Sequence, residues 1–238
     1  MKKFCFVSIV LAIMLACSTL SLHAQDTKPK FRVLTPASGA VLRGGKEVLI
    51  KWDAQIDSAI TTNPFGEMEL YLETVEGGYF RITPQLSPTA STFNWTVPSI
   101  ESNGARLALK AGVEGEGDQV YLRQTGTFTI RTGSRGPAIL LNAIRDRVKP
   151  GSDVELTWLS TNMEPGINFD VMISYDRGAH FHKAGSTPGN GFVLPIEEDF
   201  AGSITVQILG RRSNGTAIRS ILTPDATIRV GDDSDREK

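Results

Sequence analysis

The chain has 238 residues, with 25 lysines and arginines against 26 aspartates and glutamates, and a formal net charge of −1 at pH 7. This balance gives no global field that would favour nucleic acid or an anionic membrane surface, so neither is expected as a partner. The length is enough for two domains of about 100 residues each after a short leader.

The first residues are typical of an export signal. Two lysines precede an apolar run from Phe4 to Ala16, which is too short for a membrane-spanning helix of about 20 residues. We expect cleavage after Ala24, so that residues 1–24 form a signal peptide and the mature chain has no transmembrane span. The alternative is lipidation of Cys17 in the stretch MLAC. Either route predicts an exported protein that is periplasmic, on the cell surface or extracellular.

The cysteine count limits the chemistry of the mature chain. Cys5 and Cys17 are the only cysteines, and both lie inside the expected signal peptide. The mature chain therefore has no disulfide and no thiol chemistry, although it enters a compartment that permits disulfides. Its stability must come from packed apolar cores.

Beyond the leader, short stretches of alternating apolar and polar residues recur, and none has a convincing helical period. Such a period of two is typical of half-buried β-strands. The side chains expected to face a core are Val48, Ile50 and Trp52, then Met68, Leu70 and Leu72, then Phe93, Trp95 and Val97, and then Ala105, Leu107 and Leu109. Strands at this spacing, separated by turn residues, predict an antiparallel β-sandwich.

The pattern then repeats. RGGKEVLIKW, which ends at Trp52, matches KPGSDVELTW, which ends at Trp158, and TFTIRTG matches DATIRVG. The sequence thus predicts an all-β protein of two tandem sandwiches, residues 25–133 and 134–231, followed by an acidic, disordered tail, residues 232–238. The segment Thr132–Pro137 is short and contains two glycines and a proline, which predicts a limited hinge in an elongated pair.

Three tryptophans are expected to anchor the cores. Trp52 and Trp158 end matching strands. Trp95 lies between Phe93 and Val97 at every second position of its strand, so the three side chains share one face. A sugar-stacking role for Trp95 is the alternative, but this alternation directs its side chain inward. We therefore treat Trp52, Trp95 and Trp158 as core residues.

The first copy resembles a known family of modules. The stretches LTPASGAVLRGGKEVLIKWD, MELYLETVEGGYFRI, FNWTVP, ARLALKA and GTFTIR resemble the Ig-like or fibronectin-III-like module of bacterial secreted proteins. They are similar also to the N-terminal module of the fungal Ser-Thr-rich GPI-anchored cell-wall family. The second copy departs from this pattern, with Phe192 in place of the second tryptophan and YDRGAHF at the turn. The resemblance implies tandem Ig-like sandwiches with a non-catalytic spacer, adhesion or envelope-assembly role.

The stretch SYDRGAHFHKAG raises the question of a metal site. His180 and His182 would share one face of a strand, with Phe181 directed into the core and Asp176 nearby. Zinc requires three or four ligands, and the third histidine, His23, lies in the expected signal peptide. We therefore expect exposed histidines on a hairpin, with no metal and no cofactor.

Other candidate binding residues are the tyrosines. Tyr71 alternates outward from Leu70 and Leu72, and Tyr175 lies near the expected hairpin tip. Together with Tyr79 and Tyr121 they are the expected exposed aromatic contacts.

The sequence contains no recognisable catalytic set. It has no G-x-S-x-G elbow, no H-E-x-x-H and no phosphate-binding glycine loop. A pair of carboxylates for glycoside hydrolysis stays open, because only their separation in space defines it. We expect a non-enzymatic structural or adhesion module that docks on an envelope or extracellular protein assembly. A carbohydrate-binding module acting on envelope or extracellular glycan is the alternative.

Overall fold

The structure is a computed structural model, and it describes residues 30–113, 119–133, 137–144, 147–219 and 226–231. The expected signal peptide with Cys5, Cys17 and His23, and the acidic tail at residues 232–238, lie outside these ranges. Within the part of the chain that the structure describes, no helix has the length and apolar content needed to cross a bilayer. Apart from one helical turn, the regular secondary structure of the described residues consists of β-strands.

Within the described ranges, the first sandwich has nine strands and one helical turn. They are β1 (Lys30–Thr35), β2 (Val41–Arg43), β3 (Glu47–Gln55), α1 (Ser58–Thr61), β4 (Gly66–Glu73), β5 (Tyr79–Arg81), β6 (Thr92–Thr96), β7 (Ser102–Val113), β8 (Gln119–Arg123) and β9 (Phe128–Arg131). One sheet has the order β1-β3-β6 and the other the order β2-β9-β7-β4-β5, with β8 also paired to β7. The helical turn follows Asp57, whose carboxylate accepts a hydrogen bond from the Ala59 amide at 2.8 Å.

The second sandwich repeats this topology. Its strands are β10 (Ala138–Leu141), β11 (Arg147–Val148), β12 (Asp153–Thr161), β13 (Asn168–Ser174), β14 (His182–Thr187), β15 (Gly191–Pro195), β16 (Gly202–Arg211), β17 (Ala217–Arg219) and β18 (Ala226–Val230). The orders β10-β12-β15 and β11-β18-β16-β13-β14, with β17 paired to β16, match those of the first sandwich. In each half a short second strand pairs in parallel with the last strand, and every other pair is antiparallel. The prediction of two β-sandwiches is confirmed.

The three tryptophans lie inside the cores. Trp52 and Trp95 are each 1% exposed in the first sandwich, and Trp158 is 3% exposed in the second. Trp95 packs edge-on against Phe128, and Trp158 packs edge-on against Phe169, with ring centroids 6.5 Å and 5.4 Å apart. Such aromatic pairs add to the stabilisation that comes from area burial.

Strand β10 contributes to both cores. Ile139 and Leu141 pack in the core of the second sandwich, whereas Ala138 and Leu140 pack in the core of the first. Side chains alternate across a strand, so a strand lying between two cores places successive residues in different ones. Leu159 of the neighbouring strand β12 also packs against the first core. The two sandwiches therefore share a buried apolar seam.

Backbone contacts next to this seam join the two sheets. Phe80 of β5 forms an antiparallel bridge with Asn142, which directly follows β10. The Tyr79 carbonyl accepts a hydrogen bond from the Ala143 amide at 2.7 Å, and the Tyr79 amide donates to Asn142 Oδ1 at 3.2 Å. These residues close the free edge of β5. The expected hinge at Thr132–Pro137 lies partly outside the described residues, and the contacts that follow it hold the sandwiches together.

Candidate functional site

Tyr71 does not lie on an open surface. The side chain is on the sheet face opposite the core, as the alternation with Leu70 and Leu72 predicted, but only 5% of it is exposed. Its ring stacks on Tyr79 with centroids 4.6 Å apart and planes inclined by 3°. Its hydroxyl donates a hydrogen bond to Glu69 Oε2 at 2.6 Å. The prediction that Tyr71 is an exposed aromatic contact is therefore wrong, because neighbouring side chains cover the ring.

Charged side chains surround the two stacked tyrosines. Arg81 Nη1 donates to Glu69 Oε1 at 2.6 Å, so both oxygens of this carboxylate accept hydrogen bonds. Lys110 on β7 lies directly opposite Glu69 on β4 and is only 9% exposed. Cross-strand neighbours of opposite charge stabilise a sheet. The outer face of this sheet is thus an ordered polar network.

This face forms one wall of a cleft between the two sandwiches, with a volume of about 400 Å³. The first sandwich contributes Glu67, Glu69 and Lys110, and the second contributes Arg229 and three hydroxyl-bearing residues, Ser203, Thr205 and Thr227. Arg229 Nη2 lies 3.5 Å from Glu67 Oε1, so an ion pair crosses the cleft. The volume is within the range of about 300–1,000 Å³ that is usual for ligand sites.

The hairpin between β13 and β14 brings one further cation to the cleft. Arg177 lines the cleft, is exposed, and has a backbone φ of 59°. Left-handed backbone at a residue other than glycine is uncommon and needs support from its surroundings. Ser174 supplies some of it, because its hydroxyl oxygen accepts a hydrogen bond from the Gly178 amide at 2.9 Å. The hairpin therefore holds Arg177 at the rim of the cleft.

Asp176 organises the same hairpin. Its Oδ1 accepts hydrogen bonds from the Ser174 hydroxyl at 2.5 Å and from the His180 amide at 2.9 Å. His180 Nδ1 lies 2.6 Å from its other oxygen. These hydrogen bonds, from Ser174 first and then from His180, hold the pKa of Asp176 well below its usual range. The Asp176 carboxylate therefore stabilises the turn through these hydrogen bonds.

The two histidines do not share a strand. His182 begins β14, whereas His180 lies in the bend before it. Phe181 is half-buried and does not belong to the core of the second sandwich. The expectation that these three residues lie on one strand, with Phe181 in the core, is wrong because the turn extends to residue 181. Across the described ranges, no group of three or more histidine, cysteine or acidic side chains is arranged to hold a metal ion.

Tyr175 and Tyr121 are the tyrosines with large exposed surfaces. Tyr175 is 51% exposed and packs against Phe200, with ring centroids 5.2 Å apart. Tyr121, on β8 of the other sandwich, is 56% exposed. Tyr79 is half-buried, and its ring stacks on that of Tyr71. The predicted aromatic residues therefore do not form one continuous exposed row.

The second sandwich has an acidic centre that matches Glu69 in the repeat. Asp170 lies 101 positions after Glu69, the same offset that relates the core residues Leu70 and Leu72 of β4 to Val171 and Ile173 of β13. Its carboxylate accepts hydrogen bonds from Lys183, Ser186 and Arg211 at 2.7–3.0 Å. Burial raises the pKa of Asp170, but these three partners outweigh burial and lower it to about 2. Each sandwich thus carries a strongly paired acid at the same place in its sheet.

Sequence reasoning missed the cleft and its charged lining. Lys110 and Arg177 sit in an apolar strand and in a turn, and neither stretch matches a binding motif. The available signal was the alternation of Glu67 and Glu69 with core residues, which places two acids on the face that carries Tyr71. That pattern identifies a polar sheet face, but not the sandwich that packs beside it.

No protein-family model and no curated protein sequence matches this chain. Among solved structures, the fibronectin(III)-like modules of Clostridium thermocellum CbhA are similar, with 14% identity and a TM-score of 0.28, over 84% of this chain and 92% of that one. The FN1-FN3 domains of chicken CNTN1 show 12% identity and a TM-score of 0.27, over 82% of this chain and 64% of that one. The β-sandwich architecture of this chain rests on its own strand orders and cores rather than on these distant likenesses. The resemblance to the Ser-Thr-rich GPI-anchored family stays a prediction.

Proposed function

We propose that this protein is an exported, non-catalytic module that presents its two joined sandwiches as one rigid surface to a protein partner at the cell envelope or outside the cell. The observation that carries this proposal is the placement of Ala138 and Leu140 in one core and of Ile139 and Leu141 in the other. A shared strand fixes the geometry of a surface that spans both sandwiches. Pre-organisation of this kind lowers the entropy cost of binding.

The state of the acids in the cleft supports binding rather than hydrolysis. Glu67 and Glu69 are each paired with an arginine, and Glu69 also accepts the Tyr71 hydroxyl. An acid that protonates a leaving group must carry a proton and stand free to donate it. The oxygens of these two carboxylates are instead engaged by arginine side chains and, in Glu69, by the Tyr71 hydroxyl.

The arrangement of the aromatic residues favours a protein partner over a glycan. Tyr71 is covered, and the exposed rings of Tyr121 and Tyr175 belong to different sandwiches. A sugar-binding platform needs an accessible aromatic face, whereas a protein interface can use scattered tyrosines and arginines. Carbohydrate binding is accordingly the second candidate, to be tested alongside the first.

Cross-linking with mass spectrometry on whole cells of the native organism tests this proposal. It reads both the covalently trapped neighbours and the mature N-terminus, which is Gln25 after cleavage or Cys17 after lipidation. Repeated cross-links from both sandwiches to one defined set of proteins are the expected result. A chain that yields no protein neighbour, but binds on a glycan array, would contradict the proposal and favour the glycan candidate.

A further inference from the structure

The cleft between the sandwiches carries an excess of positive charge. Of the described residues that line it, four are cationic and two are anionic; the cations are Arg81, Lys110, Arg177 and Arg229, and the anions are Glu67 and Glu69. The two acids form ion pairs with Arg81 and Arg229, at 2.6 Å and 3.5 Å. Over the described lining residues the formal charge is positive, although the whole chain is close to neutral.

The inner part of the lining is largely buried, whereas Arg177 at the rim is exposed. Lys110 is 9% exposed and Thr205 is 8% exposed, while Glu67 and Glu69 have side chains that are 14% exposed. Electrostatic interactions are stronger at such sites than in bulk water, because the effective dielectric constant is lower. An anionic group entering the cleft would gain more there than at an open lysine or arginine.

Arg177 completes the lining from the rim. Its guanidinium group offers a planar set of donors that matches a carboxylate. In the first sandwich the corresponding turn position, 101 residues earlier, is Glu76, and both turns continue with a glycine at a φ of 91°. The turn geometry is thus shared, while the charge at its tip is reversed where the turn borders the cleft.

We propose that this cleft binds an acidic side chain, glutamate or aspartate, from an extended segment of the protein partner. The proposal rests on the proposed function, because it identifies where that partner docks. Arg177 would bind the carboxylate from the rim, and the hydroxyls of Ser203, Thr205 and Thr227 add neutral donors to the same space. An acidic sugar has the same charge, but Tyr71 in the cleft wall is stacked and covered, so no aromatic platform receives a sugar ring.

Fluorescence anisotropy with labelled hexaglutamate and the purified protein tests the inference, with hexaglutamine as the neutral probe. Saturable binding of hexaglutamate alone is expected. Arg177→Gln should weaken it about tenfold or more, as for loss of a charge-assisted hydrogen bond. Arg32→Gln is the matched control, because Arg32 is an exposed arginine on the outer face of β1, outside the cleft. This control should change the affinity less than about twofold.

Three results would overturn the inference. Absence of hexaglutamate binding is the first, and equal weakening by Arg177→Gln and Arg32→Gln, which indicates general surface charge, is the second. The third is binding of an oligogalacturonate but not of hexaglutamate, which assigns the cleft to an acidic glycan. Melting temperatures of both variants show that the comparison is made on folded protein.

Whole-cell cross-linking with the Arg177→Gln variant separates this inference from the proposed function. Loss of the protein neighbours from this variant, but not from Arg32→Gln, supports both. If both variants keep the neighbours, the partner docks elsewhere, so the cleft inference fails while the proposed function stands. If the unmodified protein has no neighbours, the proposed function fails and the acidic-peptide assignment fails with it.

Discussion

Replacing Leu140 by alanine is expected to destabilise the first sandwich, although this residue belongs to a strand of the second. Its side chain is 0% exposed and lies in the core of the first sandwich. Leucine-to-alanine changes at such sites cost about 2–5 kcal/mol in free energy of unfolding, because they remove buried methyl groups and leave a cavity. The neighbouring Ile139, 1% exposed in the other core, is the matched control.

Urea unfolding followed by tryptophan fluorescence can separate the two cores. A Trp158→Phe background keeps Trp52 and Trp95, which report on the first sandwich, and the complementary background reports on the second. A loss of about 2–5 kcal/mol divided by a urea dependence of about 1–3 kcal/mol per molar lowers the midpoint by about 1 M or more. Leu140→Ala should move the first reporter, and Ile139→Ala the second.

A Leu140→Ala variant that shifted only the Trp158 signal would show that β10 does not support the first core. That result would place the side chain energetically in the second core alone. If both sandwiches unfold in one transition, each substitution should lower the single urea midpoint of the whole protein, because each core then supports the whole unit.

Three further changes test other parts of the structure. Asp170→Asn should remove about 2 kcal/mol of stability near neutral pH, since a folded-state pKa of about 2 lies below the ordinary 3.8. Ionised Asp170 stabilises the fold above pH 4 and stabilises it less as the pH falls towards 2. The difference in melting temperature between the unmodified protein and Asp170→Asn should therefore shrink over that window, and a constant difference would contradict this prediction. Asn142→Ala should cost about 1–3 kcal/mol and speed hydrogen exchange at the Tyr79 amide, which loses its acceptor; unchanged exchange would argue against this contact. Gly66→Ala should lower the free energy of unfolding by about 1–3 kcal/mol in thermal unfolding, because a Cβ there would lie 2.1 Å from a backbone oxygen of α1. Gly191→Ala is the control and should cost less, because the nearest atom to its Cβ would be 3.7 Å away.

The strands were predictable because burial imposes a period of two on them. The alternation that ends at Trp52 and the later one that ends at Trp158 identified matching strands, and β3 and β12 have the same lengths and similar burial patterns. The shared strand β10 also differs in sequence pattern from β1, the first strand of the other sandwich. AILL, residues 138–141, is apolar at four consecutive positions, whereas β1 alternates along KFRVLT. A continuous apolar run is typical of a strand buried on both faces.

The candidate site was harder to predict, because alternation identifies the side of a sheet but not what covers it. Tyr71 was assigned to the correct face and yet is buried by Tyr79 and the neighbouring charged residues. The sequence predicts a strand at His180, whereas the turn continues past it and the His180 amide donates a hydrogen bond to Asp176 within that turn. Both errors concern tertiary contacts between side chains that the local pattern does not encode.

The hairpin turns of the two copies are held in different ways. In the first, the Tyr79 amide donates to Asn142, a residue supplied by the adjoining sandwich. In the second, the His180 amide, in the bend before β14, donates to Asp176 of its own hairpin. Unpaired backbone donors at a sheet edge invite pairing with another chain. The start of β5 is therefore covered by the adjoining sandwich, whereas the turn before β14 is closed by hydrogen bonds within its own hairpin.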